Sequence, residues 1–245
     1  MSLHLLSFRP DFGRLARLAA RERLLPPGDD AGYAVHAVFA ASFGDRAPKP
    51  FQLFAPGEPG GGPSGRLLAY SSASLEDLRA HAAAFSDPTF SGVLNLDEAE
   101  AKVMPHDFAP GTPLGFRVRI RPVRRTGRSR DGQTAAKERD IYSGVRAGEA
   151  ASATRGDLYG RWLKKQFARS TAAEVETYQI EALRQTRLMT RNQGERRSVS
   201  ILVGPDATFS GVLRVKDSSA FAELLRRGIG RFRAFGFGML LLKPP

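Results

Sequence analysis

Apolar residues along the chain switch between the two-residue period of half-buried strands and the three-to-four-residue spacing of amphipathic helices. The switches divide the chain into two similar series. The first opens with a strand in "SLHLLSF" (Ser2 to Phe8) and a helix in "DFGRLARLAARERLL", where Leu15, Leu18 and Ala19 share a face. Pro26, Pro27 and Gly28 stop that helix. A second helix, "DDAGYAVHAVFAASFG", is opened by Asp29 and Asp30 near its positive end and closed by Gly44. "KPFQLF" and "RLLAYSS" predict two hairpin strands joined by the Gly/Pro-rich "APGEPGGGPSG", and "SLEDLRAHAAAF" predicts a helix capped by Ser74.

The second series begins at "TPLGFRVRIRPVRR", where Phe116, Val118 and Ile120 alternate with Arg117, Arg119 and Arg121. A strand with one core face and one row of arginines follows from that period. "TGRSRDGQTAAKERD" is basic and poor in apolar residues, which predicts a mobile loop. "RGDLYGRWLKKQFAR" predicts a helix. The extended "VETYQIEALRQTRLMTR" turns at "NQGE" into "RRSVSILV", followed by strand "TFSGVLRV", helix "SSAFAELLRRG" and terminal strand "GFGMLLLKP". Both series sketch strand-helix-strand-strand-helix-strand. The predicted fold is therefore α+β, two tandem ferredoxin-like (RRM-like) domains over residues 1–112 and 113–245.

Charge changes the picture. Of a net +12, residues 1–115 contribute 10 basic and 13 acidic side chains, and residues 116–245 contribute 27 basic and 12 acidic. Such asymmetry predicts an anionic partner for the second half, nucleic acid first among the candidates. Arg117 to Arg139 alone hold nine basic and two acidic residues, and Arg184, Arg187, Arg191, Arg196 and Arg197 flank the "NQGE" turn. Cysteine is absent, which excludes disulfides and thiol chemistry. No apolar run is long enough to span a bilayer, and the expectation is a cytoplasmic protein.

Candidate chemistry is sparse. His4, His36, His81 and His106 are scattered without metal-ligand spacing, so neither a metal nor another cofactor is expected. "RRGIGRFRAFGFG" lacks the P-loop pattern, and Arg233 stands where a dinucleotide fingerprint needs its third glycine. In "GYAVHAVFAASF", Tyr33 lies three residues before His36 and so shares its helical face. The pair reads either as an acid/base couple or as a half-buried histidine on an amphipathic helix.

Taken together, the spacing Gly228-x-Gly230-x5-Gly236-x-Gly238, with "GYAVHAVFAASFG", "APKPFQLF", "PLGFRVRIRPVRR", "KERDIYSG" and "LYGRWLKKQF", resembles the CRISPR repeat-RNA processing endoribonucleases, in particular the CasE subunit of type I-E Cascade. The resemblance runs through nearly the whole chain. It implies that His36 is catalytic, with Tyr33 beside it. It also implies metal-independent cleavage of precursor CRISPR RNA at the base of the repeat hairpin by 2′-hydroxyl attack, with the mature crRNA hairpin held for an interference complex. Local charge nominates Arg117, Arg119, Arg121, Arg124, Arg125, Arg128, Arg130, Lys137, Arg139 and Arg191 as RNA-binding residues. Arg231 and Arg233, with Gly228, Gly230, Gly236 and Gly238, would meet the backbone at the glycine-rich loop. A related type IV guide-RNA processing subunit using arginines, and a non-catalytic double RRM-like hairpin binder, remain the alternatives.

Overall fold

Two four-stranded antiparallel sheets organise the chain. A computed structural model describes residues 2–25, 30–126, 137–144, 153–191 and 199–245. Its first sheet joins β1 (His4–Phe8), β2 (Phe51–Phe54), β3 (Arg66–Ser71) and β4 (Glu100–Val103) in the order β2-β3-β1-β4. The second joins β5 (Pro113–Ile120), β8 (Ala173–Arg191), β9 (Val199–Val215) and β10 (Leu240–Lys243) in the order β10-β5-β9-β8. Within its own series each sheet sets strand four beside one, one beside three, and three beside two. That repeats one plan twice, a mixed α+β architecture of two sheet-and-helix units.

The helices are α1 (Phe12–Arg21), α2 (Gly32–Phe43), α3 (Leu75–Phe85), the short α4 (Pro88–Ser91), α5 (Arg155–Ser170) and α6 (Ser218–Arg227). Reciprocal capping boxes start two of them. Ser74 and Asp77 open α3, and Thr154 and Asp157 open α5, each satisfying backbone N–H groups that have no partner inside the helix.

Alternation along β1 and β3 feeds two cores. Leu6, Phe8, Leu67 and Ala69 pack with α1, α2 and α3 residues such as Leu18, Val38, Phe39 and Leu78. Leu3, Leu5, Leu68 and Tyr70, on the opposite face, pack against the second core around Phe116, Val118, Phe167 and Phe209. The first sheet is thus covered on both faces. The buried Tyr70 hydroxyl donates to Leu240 O at 2.9 Å, joining the sheets, and burial pushes that phenol above its ordinary pKa.

β4, the last strand of the first series, is an edge strand with exposed side chains that pairs with β1, so no hydrophobic period marks it. Two expectations change. "VSILV" and "TFSGVLRV" are one strand, β9, running through Gly204 and Pro205. Gly204 makes room there for Arg121, whose Nη2 would stand 2.5 Å from an added Cβ. Finally, the ends of the basic segment expected to be a loop form β6 (Val123–Thr126) and β7 (Lys137–Asp140), a separate two-stranded ribbon; residues 127–136 lie outside the described residues.

Candidate active site

Helix α2 carries Tyr33 and His36 three residues apart, and the glycine-rich segment after α6 comes back across the molecule to meet them. The Phe235 ring stacks on Tyr33 at 6.0 Å between centroids and lies 4.8 Å from the His36 imidazole. Tyr33 and His36 are 5.9 Å apart. At Gly32, a Cβ would stand 2.2 Å from the Phe235 carbonyl oxygen, so the first turn of α2 touches the loop backbone. His36 is half-buried. Burial foremost, and then the charge of Lys49, lower its pKa below 6.5, so the imidazole is neutral at pH 7.

Lys49 and Phe235 line a cavity of about 780 Å³ together with Arg46, Arg226, Arg231 and Arg233. Asp45 is its only carboxylate. A histidine that can accept a proton therefore stands beside a space walled by cations, the combination needed to handle an anionic ester.

The arginines of β5 require a correction. The period-2 pattern holds, with Phe116, Val118 and Ile120 fully buried, yet two of the three arginines that alternate with them are buried as well. Arg119 is 7% exposed and Arg121 2%. Arg119 Nε and Nη2 donate to Asp206 Oδ1 and Oδ2 at 3.0 and 2.7 Å, and Nη2 also reaches Asp30 Oδ2. Its guanidinium lies 4.4 Å from the centre of the Phe237 ring. Burial lowers the Arg119 pKa, but Asp30 and Asp206 outweigh it and raise the net value. Arg121 donates to Thr186 Oγ1 at 2.9 Å and to Leu202 O at 3.1 Å. Arg117 pairs with Glu181 at 2.7 Å. Burial and these partners remove Arg119 and Arg121 from direct contact with RNA. Both are scaffold residues.

Asp30 explains why Arg119 matters to α2. Its Oδ1 accepts from Gly32 N at 2.7 Å at the helix start while Oδ2 takes Arg119. Asp206 also receives Arg184 Nε at 3.0 Å. Four side chains from the α2 lead-in, β5, β8 and β9 thus lock the helix to the second sheet.

The remaining sequence-nominated residues divide. Arg124 and Arg139 are both exposed and sit opposite each other across the β6–β7 ribbon. Arg125 and Lys137 sit on the ribbon strands, but their side chains, and Arg128 and Arg130 entirely, lie outside the described residues. Arg191, at the end of β8, donates to Glu22 O and Arg23 O at 2.9 and 3.0 Å, with its guanidinium 5.8 Å from the Tyr33 ring centre. Arg231 is exposed and ion-paired with Glu138 of β7. Arg233 is half-buried, its Nη1 donating to Arg227 O at 2.7 Å.

Two of the four loop glycines have their N–H groups already engaged within the protein. Gly228 N donates to Leu224 O at 2.7 Å and Gly238 N to Arg119 O at 2.6 Å. With φ of +76° and an added Cβ 2.2 Å from Ile229 O, Gly238 folds the loop onto β5. Gly230, whose added Cβ would meet Trp162 at 2.9 Å, and Gly236 also have positive φ.

A family model described as CRISPR associated protein matches residues 4–244. The chain belongs to the CRISPR associated protein family. Solved structures share its fold across the full length. A structure of CRISPR endoribonuclease Cse3 bound to 19 nt RNA is 20% identical with a TM-score of 0.60, each chain covered over 100%. The CRISPR-associated protein Cas6e from Escherichia coli K-12 is 18% identical with a TM-score of 0.54, again over 100% of both. A chain of a CRISPR RNA-guided surveillance complex, pre-nicking, is 17% identical over 99% of this chain and 100% of that one, with a TM-score of 0.56. No curated protein matches in a sequence search.

Sequence reading missed Asp30 as a cross-sheet anchor, Asp206, Lys49 and the placement of Phe235. Asp30 was visible only as an acid at a helix start. Nothing local tied it to Arg119.

Proposed function

We propose that this protein is a metal-independent endoribonuclease that binds the repeat hairpin of precursor CRISPR RNA, cleaves at its 3′ base and retains the mature guide hairpin for a Cascade-like interference complex. The observation that carries the reading is the meeting of His36 and Tyr33 with Phe235 beside the cationic cavity of Lys49, Arg46 and Arg231. The neutral imidazole takes the proton of the 2′-hydroxyl as that oxygen bonds to the adjacent phosphorus. The bond from phosphorus to the 5′ oxygen breaks, that oxygen takes a proton from water, and the imidazolium returns its proton to solvent. The products are a 2′,3′-cyclic phosphate and a 5′-hydroxyl. Lys49 and the arginines stabilise the phosphorane charge. Residues 1–112 carry the catalytic helix in this reading, and residues 113–245 supply most cations for the stem, with Arg124, Arg139 and Arg191 as candidate contacts.

The test uses synthetic repeat RNA from the array beside the gene, incubated in EDTA, with and without a 2′-deoxy substitution at the scissile position. Only the all-ribose strand should be cut, and His36→Ala should lose cleavage while holding the hairpin with unchanged affinity. Tight binding with no cutting of any repeat would make the protein a hairpin binder. Full cutting by His36→Ala with loss in arginine variants would move the proton transfers to the arginines.

A further inference from the structure

A second basic hollow lies behind the glycine-rich loop, away from His36. It is a groove of about 860 Å³ between α5 and α6. From α5 it receives Trp162, Lys165, Gln166 and Arg169, at spacings of three, four and seven residues and therefore on one helical face. Helix α6 supplies Glu223 and Arg227, and the loop closes the end with Arg231 and Arg233. Six basic residues line the groove against the single carboxylate of Glu223. Among the described residues neither Lys165 nor Arg169, both exposed, has a partner for its charge.

Crowding at the mouth points the same way. Arg233 donates to the Arg227 carbonyl, and both residues line the groove, Arg227 with its Nε 3.7 Å from Glu223. Burial first, and then Arg227, depress the Arg233 pKa. An anion between them would offset that repulsion.

The groove is continuous with the cavity beside Lys49 and Phe235, since Arg227, Gly230, Arg231 and Arg233 line both. Its volume is within the roughly 300–1,000 Å³ of pockets that enclose one ligand, room for a few nucleotides of single strand and too little for a duplex. Cations alternating with an aromatic wall, here the half-buried Trp162, are the surface that single strands use for phosphates and base faces.

We infer that the α5–α6 groove binds the single-stranded RNA flank immediately 3′ of the scissile phosphate. This rests on the reading of the protein as a hairpin-cleaving ribonuclease. A strand leaving the site past Arg231 and Arg233 enters the groove directly. Since that flank is cut away in the reaction, the groove contributes to holding substrate and nothing to holding product.

The measurement compares two repeat RNAs, both 2′-deoxy at the scissile position. One ends at the cleavage site and the other carries a 3′ flank of about six nucleotides, the short-stretch scale of single-strand sites. Wild type should bind the flanked RNA several-fold more tightly. In the double variant Lys165→Ala, Arg169→Ala that preference disappears while affinity for the trimmed hairpin stays, and the salt slope for the flanked RNA falls by about 1.4, two single-strand contacts at about 0.7 each. Equal affinity of an active wild type for both RNAs overturns the groove assignment alone, as does a double variant that weakens both RNAs alike. A wild type that neither binds nor cuts the hairpin overturns the parent reading, and this one with it.

Discussion

The His36 imidazole owes its lowered pKa to two causes of unequal size, burial first and the Lys49 charge second. As the general base of the proposed reaction it works only when neutral, so cleavage should level off on the alkaline side and fall on the acid side with a midpoint below 6.5. Lys49→Ala removes the smaller cause. The acid limb should then move up toward 6.5 without reaching it, and the plateau rate should drop as a cation leaves the cavity, both read from single-turnover rates against pH. An unmoved limb would separate Lys49 from His36. The sequence displayed His36 and Tyr33 because a helix brings residues three apart together. Lys49 and Phe235 were illegible as partners, since they reach His36 from another element and from the far end of the chain.

Helix α2 and the glycine-rich loop hold each other at one close backbone contact, Gly32 against the Phe235 carbonyl. Gly32→Ala puts a methyl where only 2.2 Å is available, so the helix start and the loop must part. A displacement of about 1 Å in a reacting group costs on the order of 10²-fold in rate. The expected result is a loss of that order in single-turnover cleavage with hairpin affinity within about twofold. Equal losses in both would mean that the contact serves binding instead. Strand β5 shows the limit of pattern reading at this scale. Alternation fixed which residues share a face, but the period cannot say what covers the second face. Arginine suggested water or RNA, whereas Asp30, Asp206 and Phe237 cover it.

Across the whole molecule, the repeated order of strands and helices was legible because each unit repeats the same local periods. The seam between the sheets was not, since its members are scattered from Asp30 to Asp206 and only folding brings them together. Removing Arg119 would take the cation from buried Asp30 and leave buried Asp206 with Arg184 alone. Arg119→Ala should therefore cost about 3–5 kcal/mol in denaturant unfolding, against under about 1 kcal/mol for removing an exposed pair such as Arg226 and Glu223. Acid should act on the same seam. Burial raises the Asp206 pKa, but Arg119 and Arg184 outweigh it, leaving the carboxyl below its ordinary range. Its contribution is complete above the unfolded value of about 3.9 and is lost as pH falls through the depressed one, which unfolding followed by circular dichroism below pH 4 would show.

Met189, from β8, is buried in the core of the first unit, and Arg191 closes over the carbonyls of Glu22 and Arg23. The early part of the chain is therefore finished by the late part. During synthesis the helix bearing His36 leaves the ribosome long before Arg119, Met189 or Phe235 exist, and translation proceeds at about 5–20 residues per second. For those seconds the nascent chain carries its histidine without the frame that aims it. On the ribonuclease reading, a chain that has not yet made Phe235 holds its histidine outside the arrangement that cleavage needs.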